Sequence, residues 1–439
     1  MAEVSYAALL RRNRNFRLMW LGGVVSQIGD WFNAIAVYAL LLDLTGGSAT
    51  AVAWMMVIQF LPLAVAGPLA GVVVDRIDRR WIMIVSDVAR GVLVLGLLLV
   101  RSADWLWLAY AVMASTVAAR AFFEPARTAT IPSITTPDEL LAANTLSSAS
   151  WAAMLAIGAA LGGLVTAVVG QDAAFIVNAV SFFVSAALIA RMRYRGVRGA
   201  RPTQPPTLAE ISGVGDLLEG LRYVRARAYV AGLLSIKAGW GIAGGAMLLL
   251  TIFGDRIFPV GGSAAAGIGV LFGARGVGAL AGGLLTKTIG HEPLALRRTL
   301  APAYLVYGAG YVALAYVSTH WLAAIVVLVA HGAGSVLWVT STVLLQLYVP
   351  DAFRGRVFAV ELALMTVVAS TATYLTAYAL DGLSIAPQTM AMVLGLAFVL
   401  PGGSWLFLEA RWRHSRPELE PGPDAGTSSA GEQLRDRLG

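Results

Sequence analysis

The chain has no cysteine, only two lysines and four histidines, and charged residues fill just 13% of its 439 positions. Without Cys there are no disulfides and no thiolate metal sites. The shortage of charge excludes more. Soluble domains carry about 25% Asp, Glu, Lys and Arg, and half that share cannot cover a chain that is 58% hydrophobic. A soluble enzyme is therefore set aside, and so is disorder, except at the ends. His291, His320, His331 and His414 are scattered along the chain, whereas an enzyme needs nucleophile, base or metal ligands clustered at one depth. No enzyme, cofactor or metal site is expected.

What the chain has is apolar runs. A helix needs about 20 apolar residues to cross roughly 30 Å of hydrocarbon. Twelve such segments are bounded by charge, Pro or Gly: 16–42, 49–74, 81–100, 104–123, 144–169, 172–192, 229–253, 264–287, 299–318, 321–346, 357–380 and 387–409. The first follows a polar stretch with Arg11, Arg12 and Arg14, is too long for a signal-peptide core and lacks an A-x-A-like cleavage site. It is expected to remain as a helix.

The net charge of +7 does not point to nucleic acid, because the basic residues flank the apolar runs instead of forming one face. Twenty-three of them lie beside one set of helix ends, and only Arg101 and Arg256 lie beside the other. By the positive-inside rule both termini are expected in the cytoplasm of a bacterial-type inner membrane.

Residues 193–228 are rich in Arg and Pro, with a Gln204-Pro205-Pro206 turn followed by helically spaced apolar residues from Leu208 to Tyr223. This interval reads as a cytoplasmic linker with an amphipathic helix. It divides an N-terminal six-helix bundle, 1–192, from a C-terminal one, 229–410, and 411–439 reads as a disordered cytoplasmic tail. Pro137-Asp138 and Pro350-Asp351 stand 213 residues apart at corresponding places, and Gly67 with Gly71 parallels Gly278 with Gly282. The pattern predicts an all-α integral membrane protein of twelve transmembrane helices in two pseudo-symmetric bundles.

Span two ends in Gly71-Val72-Val73-Val74-Asp75-Arg76-Ile77-Asp78-Arg79-Arg80, which resembles the G-x-L-a-D-R-x-G-R-R loop signature of the major facilitator superfamily, with Asp78 at the second Gly. The resemblance implies that Asp75 caps the start of helix eleven near Arg354 and Arg356 and closes the cytoplasmic side. A carboxylate meeting the free N–H groups of a helix start gives this a physical basis. Gly158, Gly162 and Gly163 in span five resemble the G-P-x-x-G-G element of facilitator exporters, with Ala159 in place of Pro. Asn13-Arg14-Asn15-Phe16-Arg17, Gly29-Asp30-Trp31-Phe32, Ser86-Asp87-Val88-Ala89-Arg90, Phe122-Phe123-Glu124-Pro125-Ala126 and Arg354-Gly355-Arg356-Val357-Phe358 resemble the branch of enterobactin exporters and macrolide efflux proteins. That resemblance implies alternating-access export of a drug, siderophore or other amphipathic compound.

Ionisable groups inside spans are costly, roughly 2.5–3.5 kcal/mol each at a helix centre on insertion scales, so each is a candidate by default. Asp30 is the acid nearest mid-membrane and is read either as a proton carrier or as a structural partner for Arg275 or another buried cation. His331 is read as a second proton site or a hydrogen-bonded core residue. Lys237 and Arg275 would draw an anionic substrate group or neutralise Asp30 or Glu361. Asp87 with Arg90 and Arg120 with Glu124 have helical pairing spacings and are assigned, with Arg76, Arg79 and Arg80, to the cytoplasmic gate. Trp31 and Gln59 are the favoured substrate contacts beside Asp30, with Trp151 among further aromatic candidates. The expected partners are a small-molecule substrate, protons and the lipid bilayer, with the protein monomeric. The alternatives are an importer or uniporter of the same fold, and a membrane scaffold or lipid-handling protein.

Overall fold

The computed structural model describes residues 5–59, 62, 66, 70, 73–74, 76–193, 214–289 and 292–412. Among them the regular structure is helical. The N-terminal half contains α1 (Tyr6–Arg12), α2 (Arg14–Thr45), α3 (Ala49–Ile58), α4 (Arg79–Leu95), α5 (Leu106–Ile134), α6 (Pro137–Val169) and α7 (Gln171–Ala190). A connecting helix α8 (Val214–Arg225) leads to α9 (Ala228–Gly239), α10 (Ala243–Arg256), α11 (Ala264–Ile289), α12 (Pro293–Leu314), α13 (His320–Tyr348), α14 (Asp351–Asp381), α15 (Pro387–Ala397) and α16 (Val399–Trp412). A single 3₁₀ turn joins α9 to α10.

Ten helical stretches among the described residues are long and apolar enough to cross a membrane, counting α4 with the 3₁₀ turn that follows it, α9 with α10, and α15 with α16 as one each. The expected span 49–74 opens with the ten-residue α3 and continues into residues mostly outside the described set. The expected span 299–318 falls on α12, whose 22 residues reach about 33 Å. Arg297, Arg298 and the buried Tyr304, Tyr307 and Tyr311 make α12 less apolar than its neighbours. Large apolar side chains such as Val168 (74% exposed), Leu400 (74%) and Val367 (64%) cover the flanks, as a hydrocarbon solvent favours.

Local chemistry starts the helices beside the basic flank. Asn13 caps α2 by accepting from the Phe16 N–H at 3.0 Å. Asp78, the departure from the Gly of the facilitator signature, accepts from the Arg80 N–H at 2.9 Å and caps α4. Thr136 and Glu139 form a capping box on α6. Several helices therefore begin before their apolar runs: α6 starts at Pro137 and α14 at Asp351.

In the N-terminal half α2 packs on α6 and α7, and α4 on α5 and α7; in the C-terminal half α13 packs on α11 and α12, and α14 on α10. The two halves meet mainly where α6 crosses α11 and α3 meets α14. The first crossing is made of small residues. A Cβ added to Gly163 would lie 2.6 Å from the Gly269 Cα, and one on Gly276 would lie 2.4 Å from the Ala156 Cα. Close backbone approach of this kind is how helices associate without aliphatic interdigitation. Gly158 and Gly162, by contrast, seat Trp31 and Phe32 of α2 within their own half.

The connecting helix docks on α14. Arg356 reaches Asp216 at 3.1 Å and Glu219 at 3.2 Å, and Tyr223 stacks on Phe353 with ring centroids 4.4 Å apart. The Gln204-Pro205-Pro206 turn, the start of the expected amphipathic helix and residues 413–439 of the expected tail lie outside the described residues.

Candidate functional site

Helices α2, α4, α5 and α6 enclose a cavity of about 420 Å³. Its wall takes Gly23, Ser26, Gln27 and Asp30 from α2, and Arg120, Phe123, Glu124, Arg127, Thr128 and Ile131 from α5. Asn144, Ser147, Ser148 and Trp151 come from α6, and Arg90 from α4. On each of the three long helices these positions recur at intervals of three or four, so each helix contributes one polar stripe. The stripes lie toward the arginine-rich ends: the start of α2, the end of α5 and the start of α6.

The charges in this wall divide into paired and unpaired. Arg90 binds Asp87, both buried, and its guanidinium lies 4.3 Å from the Phe182 ring centroid and 4.7 Å from that of Phe123. Glu124 accepts from Arg127 at 2.9 and 3.1 Å, so the expected pairing of Glu124 with Arg120 is replaced by one with the residue three positions onward. Both spacings suit a helix; Arg127 wins because two of its nitrogens reach one carboxylate oxygen. Asp30 and Arg120 have no ion-pair or hydrogen-bond partner among the described residues. Asp30 interacts electrostatically with Arg90, Arg120 and Glu124.

The other candidates form two clusters in the C-terminal half. Lys237 of α9 and Glu361 of α14 make an ion pair at 2.7 Å, with side chains only 1% and 7% exposed. The ammonium also donates to Thr342 and lies 4.3 Å from the Trp338 ring centroid. His331 is buried, with the hydroxyls of Tyr311 and Tyr307 at 3.0 and 3.5 Å. Arg275 belongs to this second cluster: its electrostatic neighbours are Tyr307, Tyr311 and Tyr38, and its guanidinium lies 5.8 Å from the Phe272 ring. It makes no ion pair or hydrogen bond with Asp30 among the described residues, and the charges that act on Asp30 are Arg90, Arg120 and Glu124 instead.

Trp31 and Gln59 do not line the cavity. Trp31 fits against Gly158, and Gln59 donates to the Tyr38 hydroxyl at 2.8 Å. Of the residues assigned to a gate, Arg79 donates to the Ala129 carbonyl at 2.7 Å and Arg80 to the Ile189 carbonyl at 3.3 Å, joining α4 to α5 and to α7. Arg354 donates to the Gln346 carbonyl at 3.0 Å and binds Asp351. Arg76 is exposed. Gly71 and Asp75 lie outside the described residues.

A feature absent from the sequence reading closes the end opposite the arginine-rich flank. Asp381, the last residue of α14, accepts from the Ser48 hydroxyl at 2.9 Å, the Thr50 N–H at 2.7 Å and the Ala49 N–H at 3.2 Å. Beside it Arg256 donates to the Gly47 carbonyl and lies 3.8 Å from the Asp381 carboxylate. Ser48 is legible in the sequence as a helix N-cap, but nothing local pairs it with a residue more than three hundred positions away.

Residues 4–372 match the family described as transmembrane secretion effector, MFS_3. The chain belongs to this family of major facilitator type. An uncharacterised MFS-type transporter of Mycobacterium tuberculosis is 30% identical over 369 residues, covering 78% of this chain and 80% of the relative. BacE of Bacillus subtilis, a proposed bacilysin exporter, is 27% identical over 232 residues, covering 52% of this chain and 56% of the relative. An uncharacterised MFS-type transporter of the same organism is 27% identical over 49% of this chain and 51% of its own length. The chain thus spans about half the length of these two relatives. Among solved structures, a POT family transporter in complex with 5-aminolevulinic acid superposes with a TM-score of 0.74 at 10% identity, covering 94% of this chain and 98% of that one. The nucleoside transporter NupG (D323A mutant) gives 0.66 at 13% identity, with 90% and 100% covered. These structural likenesses show the fold, which agrees with the family match.

Proposed function

We propose that this protein is a secondary active transporter that exports small amphipathic compounds by alternating access, in exchange for protons. Its two bundles, 1–192 and 229–410, would rock about a central site in a bacterial-type inner membrane, with the cavity forming the N-terminal bundle's share of it. Both termini and the 193–228 linker would lie in the cytoplasm, with the protein working as a monomer. One observation carries the reading. The halves are clasped at one end by Asp381 and Ser48, while a charged cavity with an unpaired acid, Asp30, lies toward the other. A carrier needs such an arrangement, with one end closed and a titratable group beside the substrate space.

Direction is supported by two lines. The basic flank supports a cavity that opens toward the cytoplasm, and one relative is a proposed exporter. The resemblance to enterobactin exporters and macrolide efflux proteins supports a drug, siderophore or metabolite as cargo. In the cycle proposed, a compound and Asp30 share the cavity, protonation of Asp30 from the far side accompanies release, and Asp75 closes the cytoplasmic end when the Asp381 clasp opens. The test is a compound-panel efflux assay in cells lacking their own pumps, comparing the native chain with Asp30→Asn and Asp75→Ala. Export predicts reduced accumulation of at least one compound with the native chain and loss of that effect in both variants. Equal accumulation of every compound with and without the protein would overturn the reading.

A further inference from the structure

We infer that the cavity between α2, α5 and α6 selects, among small amphipathic compounds, a zwitterion, with Asp30 receiving the cationic group of the ligand and Arg120 the anionic one. This rests on the reading of that cavity as the transport site. The argument starts from charge pairing. Four other ionisable groups of the cavity region satisfy each other as Arg90 with Asp87 and Arg127 with Glu124, and each pair is neutral. That leaves one free carboxylate and one free guanidinium facing the same space.

A cation alone would meet Asp30 favourably but leave Arg120 unpaired, and an anion alone would do the reverse. Either then makes one charge-assisted contact where a zwitterion makes two. A zwitterion satisfies both groups. Asp30 and Arg120 form no ion pair with each other among the described residues, although Arg120 acts electrostatically on Asp30.

The rest of the wall agrees with a polar ligand. Gln27, Ser26, Thr128, Asn144, Ser147 and Ser148 supply neutral hydrogen-bonding groups, and the Gln27 Oε1 is buried without a partner. A buried acceptor left without a donor is a place where a ligand N–H is rewarded. Trp151 and Phe123 provide limited apolar surface. The volume of about 420 Å³ suits a compound of dipeptide size, within the range of small-molecule sites. Neither of the other polar clusters offers this: in the Lys237–Glu361 cluster the charges neutralise each other, and the Arg275 cluster holds no acid among its electrostatic neighbours.

The test uses purified full-length protein in lipid nanodiscs and four matched mixtures built on one dipeptide library. These are the free dipeptides (zwitterions), their methyl esters (cations), their N-acetyl forms (anions) and the N-acetyl methyl esters (neutral). Binding is read by thermal shift and by equilibrium dialysis. The expected result is that the zwitterion mixture binds about tenfold tighter than either singly charged mixture, as two charge-assisted contacts exceed one. Asp30→Asn removes the preference of zwitterion over anion, Arg120→Gln removes that of zwitterion over cation, and Arg120→Lys retains it. These conservative variants are checked for native elution and melting, so loss of fold is separated from loss of selectivity. Equal or tighter binding of a singly charged or neutral mixture overturns the inference, and so does absence of binding by all four. The efflux panel judges transport separately, so a failure of zwitterion selectivity is distinguishable from a failure of the transporter reading.

Discussion

Asp381 caps the helix that begins after Ser48 from the opposite half of the molecule, with the Ser48 hydroxyl at 2.9 Å and the Thr50 N–H at 2.7 Å from the same carboxylate oxygen. The carboxylate meets the positive end of α3, so one side chain joins the two halves at a helix terminus. The facilitator signature implies the same arrangement at the other end, where Asp75 would cap the start of α14. The helices following Ser48 and Pro350 would then each be capped by an acid from the partner half, one at each end of the molecule. The two caps would be made alternately as the halves rock.

Asp381→Asn weakens the closed end by replacing charge-assisted bonds with neutral ones. Ala49, 0% exposed, reports this when changed to Cys, because the native chain has no cysteine to interfere. Membrane-impermeant thiol reagents label Ala49→Cys slowly in the native background and about tenfold faster with Asp381→Asn, a shift of about 1.4 kcal/mol in the open population. Unchanged labelling would remove Asp381 from the clasp.

Two of the three glycines of the span-five element, Gly158 and Gly163, separate into different roles. A side chain at Gly163 collides with the α11 backbone across the halves, whereas one at Gly158 collides with Trp31 in the same half. Gly163→Val is predicted to increase Ala49→Cys labelling and to reduce efflux by about tenfold or more with little loss of melting temperature. Gly158→Val is predicted to lower the melting temperature, by overpacking worth about 1–3 kcal/mol. Equivalent effects of the two substitutions on labelling would contradict the assignment.

The buried Lys237–Glu361 pair predicts strong coupling. Lys237→Met alone leaves an uncompensated buried carboxylate and costs about 3–5 kcal/mol of stability, while the double variant Lys237→Met with Glu361→Leu restores most of it. Thermal melting of the four proteins in detergent completes the cycle. Additive losses would mean that the ion pair contributes no coupling.

Asp78 gives a milder effect. Asp78→Ala removes the carboxylate that accepts from the Arg80 N–H and is predicted to cost about 1 kcal/mol, read as a lower melting temperature. Asp78→Gly costs a few tenths, because Gly is itself a tolerated N-cap.

Much of this was legible in the chain. Apolar run length located ten of the twelve expected spans among the described residues, and the arginine distribution distinguished two sets of helix ends, because both report directly on a lipid solvent. Helix spacing also exposed the Asp87–Arg90 pair. Spacing could not decide between Arg120 and Arg127 for Glu124, since a helix places both within reach and only the geometry of the cavity wall separates them. Trp31 and Gln59 appeared available to a cavity because their residue types suit one, yet which face of a helix lines a cavity is set by its neighbours. Asp381, Arg256 and Gly269 make contacts that were not legible for a related reason. Each is ordinary in its own segment and acquires meaning only against Ser48, Gly47 or Gly163, contacts that join the two halves.

Transport in everted vesicles tests the central claim most directly, using the compound that the efflux panel identifies. The cytoplasmic face is then outermost, and an acid interior supplies protons for exchange. The account predicts that imposing this gradient increases accumulation of the compound inside the vesicles, and that Asp30→Asn abolishes the increase. Accumulation that falls when the gradient is applied, or that rises equally in Asp30→Asn, would contradict it.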